Sequence, residues 1–498
     1  MKNLSQRDFF LKFSKYALVI GLLVWALPVR VSGTSESGKH SGRPFIRNYT
    51  MKEYRAQQQN WSITQDKQGI MYFGNNGGLL TFDGHNWELM KLTTMRAINI
   101  DCTGKIYLGM ENNLGYLETD LTGSYRFQSL KHLLPEKYRD ITPIYYTLFS
   151  GDKVIFQSNE YLFIYRNGQF KIIPAKNSFR GAFKVRDQLF VIDVGSGIFC
   201  LENDILTRIE GSERFGNERI YAMLPYGKED IIIITRQNGA IIYSPHGVKN
   251  YYIPEGFGEI NRFLAANWPY RGIVLPDGNY AVGTITAGIV IFSADGTIRN
   301  LFDKKAGLQD NTVYDIYCDK NKNLWVALDN GISFIEYELP FVHYTEQEGL
   351  IGSVLFVKNF NEQLYIGTGQ YLHTLKSDGS IGIVPGVFGQ SFDLVKANNT
   401  LLLAQNPGVY EVKGDQAFLI PNSTGISVCC YGNLNNHPEY LLVGGQSGFD
   451  LIRFNGTSWE MKHHITGYNF PVYAVWEDPS GDFWSTSNSS LYKIKFNE

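Results

Sequence analysis

Four positions at one spacing carry side chains suited to holding a ligand. Trp61, Arg96, Tyr314 and Tyr473 each stand five residues before an aspartate that opens a short polar turn: Asp66, Asp101, Asp319 and Asp478. Flat aromatic faces stack on sugar rings, and a guanidinium fork pairs with carboxylate or sulfate. Such residues brought together would suit an oligosaccharide, an acidic one included. A looser alignment adds Tyr145, Arg180, Arg219 and Arg262. A structural reading competes: the aromatics pack between repeats and the arginines bond rim carbonyls.

The remaining chemistry-bearing residues point away from metal, cofactor or catalytic centres. Asp319-Lys-Asn321-Lys-Asn323 has the outline of a calcium loop, but Leu324 stands where that loop needs glycine and Asn330 where it needs glutamate. The turn aspartates are better suited to accepting backbone N–H groups two residues on and fixing a hairpin. Cys102, Cys200, Cys318, Cys429 and Cys430 are too few and too irregular for a disulfide framework, and no CxxC or histidine pair has ligand spacing. His463 and His464 are adjacent, so on a strand they face opposite sides. No GxSxG, HExxH or phosphate loop occurs. A glycan-active enzyme, sialidase-like or lyase-like with converging arginines, is the alternative to a binding module, and a protein-interaction scaffold is a third.

The candidate residues must be positioned by short strands. In Gly307–Phe334 a strand at 312–317, a polar turn, a strand at 324–328, a second turn and a strand from Ile332 follow one another. Three such strands cannot bury their own faces, so like units must stack beside them. The turn aspartate, a glycine or polar residue three on, and an aromatic six on recur as Asp66/Gly69/Tyr72, Asp101/Gly104/Tyr107, Asp319/Lys322/Trp325 and Asp478/Gly481/Trp484. A small or polar residue closing the second strand recurs from Gly74 to Thr486 at a mean step of about 41 residues, the length of a four-stranded propeller blade. Phe82-Asp-Gly-His-Asn-Trp87 is echoed by Phe454-Asn-Gly-Thr-Ser-Trp459. The fold expected is all-β, a propeller array of about eleven four-stranded blades.

A single ring holds about four to eight blades, so the array divides. A seven-bladed propeller is expected over 44–346 and a second, incomplete one over 347–498. Pro44-Phe-Ile-Arg-Asn-Tyr49 resembles Pro340-Phe-Val-His-Tyr344, so the first strand reads as an outer strand that closes the first ring from the other end of the chain. It could instead pair with the three-stranded last blade. A helical turn or two is expected at 129–140, and the sixth blade at 259–302.

With 46 basic and 48 acidic residues and no basic tract, nucleic-acid binding is not expected. Fifty glycines and 14% aromatics suit many short strands and tight turns. At the N-terminus Lys2, Arg7, Lys12 and Lys15 precede an apolar run from Tyr16 to Val29 and a small-residue exit. This is a secretory signal pattern, expected over 1–32, with an uncleaved anchor as the alternative and a Ser/Gly-rich leader at 33–43. The mature chain is expected in the periplasm or secreted.

Two stretches carry a family resemblance. Gly307-Leu308, Asn311-Thr-Val313, Asp319, Leu324-Trp325 and Asn330-Gly331-Ile332 resemble the regulator-propeller repeat of Bacteroidetes sensors, and so does the opening from Asn48-Tyr49 through Asn60-Trp61, Asp66, Gly69 and Gly74 to Trp87. The resemblance implies a periplasmic sensory array of about two propellers. It further implies a following Tyr-rich β-sandwich, a membrane helix and a cytoplasmic output domain, with glycans as the usual stimulus. Lys322 and Ala327 depart from glycines of that repeat, and residues 347–498 hold neither sandwich nor membrane helix. The expected partners are an oligosaccharide or other small ligand and a membrane-bound signalling protein or a second copy of the chain.

Overall fold

A computed structural model describes residues 44–495, apart from 121–122, 246–249, 338–341, 378, 425–427 and 436. The signal segment 1–32, the leader 33–43 and the start of the echo at Pro340 lie outside the described residues. Eleven antiparallel sheets follow in chain order, ten with four strands and the last with three. Numbered as blades 1 to 11, they occupy 60–91, 95–129, 146–174, 179–208, 220–252, 269–302, 313–335, 354–383, 391–419, 428–465 and 474–494.

In blades 1 to 7 the first strand is innermost. Each packs against the next, and the inner strand of blade 7, Val313–Cys318, packs back on that of blade 1, Asn60–Gln65. The ring is sewn shut by the strand Ile46–Tyr49, which pairs antiparallel with Ile332–Ile335 and supplies the fourth strand of blade 7. Tyr49 is buried there, its ring 5.8 Å from Trp325 and nearly parallel to it, and 5.1 Å from Trp87 of blade 1. The repeated Phe-x-Gly-x-x-Trp segments are hairpins in which Phe82 pairs with Trp87 and Phe454 with Trp459 across the strands.

The turn aspartates do what their spacing suggests and more. One oxygen of Asp319 accepts the N–H groups of Asn321 and Asn323, both at 2.9 Å, and the other accepts the Trp325 indole N–H at 3.1 Å. Asp66 with Tyr72 and Asp478 with Trp484 repeat the arrangement. In these three blades the spacing of six therefore ties an aromatic of the second strand to the turn before it, whereas the Asp101 carboxylate bonds Thr103 and Lys105 of its own turn. Gly69, Gly104 and Gly481 hold the left-handed backbone of this turn, and Lys322 adopts the same conformation with φ +66°. Gly74 serves a different need, since a Cβ there would stand 2.7 Å from the Met95 carbonyl oxygen of the next blade.

Two short 3₁₀ turns, Lys131–Leu133 and Glu136–Tyr138, fill the predicted helical connection. A ten-residue helix, Gly258–Asn267, was not expected. Ile260 and Leu264 lie one turn apart on its buried face and pack with Phe257 on the core between blades 5 and 6. Blade 6 consequently starts at Pro269.

Blades 8 to 11 form a second series in which each inner strand packs on the next. The faces at its two ends are open to solvent: Val354, Leu355 and Val357 on blade 8, and Trp476 and Leu491 on blade 11.

Candidate functional site at the mouth of the ring

The inner strands of the first ring share a defect that builds a site. In blades 1, 2, 4, 5, 6 and 7 the pairing with the second strand skips one residue near the start, and the skipped residues are Trp61, Arg96, Arg180, Tyr221, Tyr270 and Tyr314. A β-bulge bends the strand and re-aims the extra side chain. Here six bulges at one level aim six side chains toward the axis. Blade 3 supplies Tyr145 just before its inner strand, where its N–H donates to the Gln157 carbonyl at 2.8 Å. All seven line one cavity of about 330 Å³, together with Tyr146, Gln157, Asn159, Arg219, Ile220 and Arg271.

Six of the eight residues singled out from the sequence are thus brought together: Trp61, Arg96, Tyr145, Arg180, Arg219 and Tyr314. Arg262 is not among them, because it sits on the helix 258–267 instead of an inner strand. Tyr473 holds the corresponding place in blade 11, in the second series, where its hydroxyl bonds Asn488 at 3.2 Å. Tyr221 and Tyr270 are the true counterparts in blades 5 and 6. The offset misses them because Tyr226 and Leu275 stand where the turn aspartate would anchor it. The turn of blade 6 nonetheless keeps its frame, with the Gly278 N–H donating to the Leu275 carbonyl.

One side of the mouth is an aromatic arc. Trp61 and Tyr314 stack at 4.2 Å between ring centroids, Tyr270 meets Tyr314 edge-on at 5.2 Å, and Tyr221 lies 6.3 Å from Tyr270. The rings are anchored from behind: the Trp61 indole N–H donates to Asn76 at 2.7 Å and the Tyr314 hydroxyl to Asp329 at 2.9 Å. Burial first, then the Asp329 carboxylate, raises the Tyr314 phenol well above its ordinary value, and burial likewise raises Tyr270. Both remain neutral hydroxyls at any physiological pH.

The guanidinium groups differ in how they are held. Arg271 donates from Nε to Asp315 at 2.7 Å; burial alone would lower its pKa, and the carboxylate beside it raises it instead. Arg96 lies 3.8 Å over the Trp61 ring, with Glu111 at the 4.0 Å limit of an ion pair. Its Nε is buried without a hydrogen-bond partner. Arg219 lies 5.2 Å over the Tyr221 ring. Below the mouth a second cavity of about 300 Å³ continues along the axis, and Tyr145, Tyr146, Tyr221 and Arg271 line both. The Arg271–Asp315 pair therefore marks the floor of the mouth.

Chemically, the lining offers stacking faces, neutral phenols and fixed cations. It contains no carboxylate and no histidine. Among the described residues no cluster of three or more His, Cys, Asp or Glu side chains could hold a metal ion.

Comparison with known proteins agrees with this architecture. Residues 307–330 match the family described as two component regulator propeller. No curated protein matches the chain. The extracellular domain of the hybrid two component system BT3049 from B. thetaiotaomicron is similar in fold, with a TM-score of 0.69 and 16% identity over 89% of this chain and 64% of that one. That of the one component system BT4673 from the same organism gives 0.46 and 15%, over 90% and 66%. PorZ, a surface component of the type-IX secretion system of Porphyromonas gingivalis, gives 0.41 and 11%, over 89% and 64%. The chain spans less than two thirds of each of these proteins. It is a β-propeller protein. The repeat of its seventh blade is the regulator-propeller repeat, as the residues there suggest.

Proposed function

We propose that this chain is the extracytoplasmic ligand-sensing module of a transmembrane signalling system and that it recognises a glycan at the mouth of its seven-bladed ring. One observation carries the reading: bulges in six blades and the start of a seventh aim their side chains into one cavity. A volume of about 330 Å³ is near the lower end of small-ligand sites, and the aromatic arc of Trp61, Tyr314, Tyr270 and Tyr221 supplies surface against which a pyranose ring can pack. The fold shared with the extracellular domain of a hybrid two component system supports the same reading. Among the described residues no helix is long and apolar enough to cross a membrane, so output passes through a membrane-bound partner, a second copy, or polypeptide other than the described blades. Export to the periplasm or beyond follows from the basic and apolar leader.

Binding is proposed in preference to catalysis because the lining supplies neither a carboxylate nor a histidine for proton transfer, and burial raises the Tyr270 and Tyr314 phenols away from the range of a base at neutral pH. A thermal-shift screen against a broad glycan library tests the reading. A sensor gives a saturable rise in melting temperature with a small, structurally related set of sugars, because a ligand that binds only the native state stabilises it. Absence of a shift with every glycan contradicts glycan sensing, and release of shortened sugars during incubation would favour the enzyme.

A further inference from the structure

The geometry points to an anionic glycan, one whose carboxylate or sulfate ester is taken by Arg180 and Arg219 while its ring packs against the aromatic arc on the other side of the mouth; this rests on the sensor reading above. The lining holds four guanidinium groups and no carboxylate. Arg271 is neutralised by Asp315 at 2.7 Å. Arg96 has only a marginal contact with the half-exposed Glu111, and its buried Nε lacks a partner. Arg180 and Arg219 have no ion-pair partner among the described residues. Arg180 and Arg219 are solvent-exposed at the mouth, and a concave site with unmatched cations concentrates anions.

The mouth is also divided in a way that fixes orientation. Arg180 and Arg219 enter from the neighbouring blades 4 and 5, whereas Trp61, Tyr314 and Tyr270 enter from blades 1, 7 and 6. Arg96, from blade 2, lies over the Trp61 ring at 3.8 Å and adds a third cation to the edge of the aromatic arc. A sugar lying on the aromatic arc would point a substituent at the arginine pair, and two guanidinium forks match the oxygens of a carboxylate or a sulfate.

An array of uronate-containing, sulfated and neutral oligosaccharides, followed by calorimetric titration of the wild-type chain, Arg180→Ala and Arg219→Ala, tests this. Expected is retention of acidic sugars, with dissociation constants weakened at least about tenfold in each variant and by raised salt. Whether digalacturonate, which has carboxylates only, or a sulfated galactan disaccharide, which has sulfate and no carboxylate, binds more tightly separates the two sources. Arg180→Lys, which keeps the charge and loses the fork, should fall between wild type and Arg180→Ala. Neutral sugars bound as tightly, or acidic ones bound equally by wild type and both alanine variants, would overturn the inference and leave glycan sensing intact. Retention of no sugar of any class would overturn both.

Discussion

Arg271 Nε donates to Asp315 Oδ1 at 2.7 Å, joining blade 6 to blade 7, while the other oxygen of Asp315 accepts the Ile63 N–H of blade 1 at 2.9 Å. One carboxylate thus holds three blades together beside the point where the ring closes. Asp315→Ala leaves a largely covered guanidinium and two backbone N–H groups without their acceptor. It should cost about 3 kcal/mol, the lower end for breaking a buried pair because Arg271 keeps some solvent contact. Arg271→Met should cost less, since Asp315 retains its backbone donors. Urea unfolding of the two variants checks the order.

The turn in blade 7 makes a paired prediction. Asp319→Ala strips the Trp325 indole N–H and two backbone N–H groups of their acceptor and should destabilise by about 1–3 kcal/mol. Lys322→Gly should do the opposite, by up to about 1 kcal/mol, because Lys322 occupies a left-handed conformation that costs a side chain and not a glycine. Equal melting temperatures for Lys322→Gly and wild type would contradict the strain argument.

Closure by the first strand is equally open to test. Tyr49→Ala removes an aromatic buried among Trp87, Phe82 and Trp325 and should cost about 3–5 kcal/mol, as truncation of large buried aromatics does. Limited proteolysis should then cut first near Ile46–Tyr49. Protection of that strand in the variant would mean that its register with Ile332–Ile335 holds without the ring.

His373 gives blade 8 a pH dependence of known sign. Burial lowers its pKa from 6.5, and its Nε2 accepts the Ile351 N–H at 3.2 Å, which requires an unprotonated nitrogen. Above about 6.5 both folded and unfolded forms are neutral. Below it the unfolded chain takes up a proton that the native chain refuses, so stability falls as pH drops toward the folded pKa. The difference in urea midpoint between wild type and His373→Gln should therefore shift against wild type between pH 7.5 and pH 5. An unchanged difference would contradict the assignment.

Blade spacing and the turn motif made the fold legible in the sequence, because each turn aspartate repeats a local hydrogen-bond frame that the chain writes out in order. The site was most directly legible where that frame keeps its aspartate, and a looser alignment reached Tyr145, Arg180 and Arg219. Counting back from Asp66, Asp101 and Asp319 reaches the bulged Trp61, Arg96 and Tyr314. In blades 5 and 6 the first turn position is Tyr226 or Leu275 instead of aspartate, so the same count cannot be anchored and Arg219 and Arg262 stand in for Tyr221 and Tyr270. Arg219 still reaches the rim, whereas Arg262 belongs to the helix Gly258–Asn267, which fills the start of the stretch expected as the sixth blade. Arg271 and Asp315 were hidden for another reason. Both follow a bulge, at a register where blades 1, 2, 4 and 5 carry only Ser62, Ala97, Gly181 and Ala222, and their pairing emerges once the blades stand side by side.

The most direct test of the account is a titration of a glycan selected by the thermal-shift screen into wild type, Trp61→Ala, Arg180→Ala and Tyr473→Ala. Recognition at the first ring's mouth predicts that the first two variants lose at least about tenfold in affinity, roughly the worth of one stacking or charge-assisted contact, while Tyr473→Ala binds as wild type does. Full affinity in Trp61→Ala and Arg180→Ala, with loss in Tyr473→Ala, would contradict it.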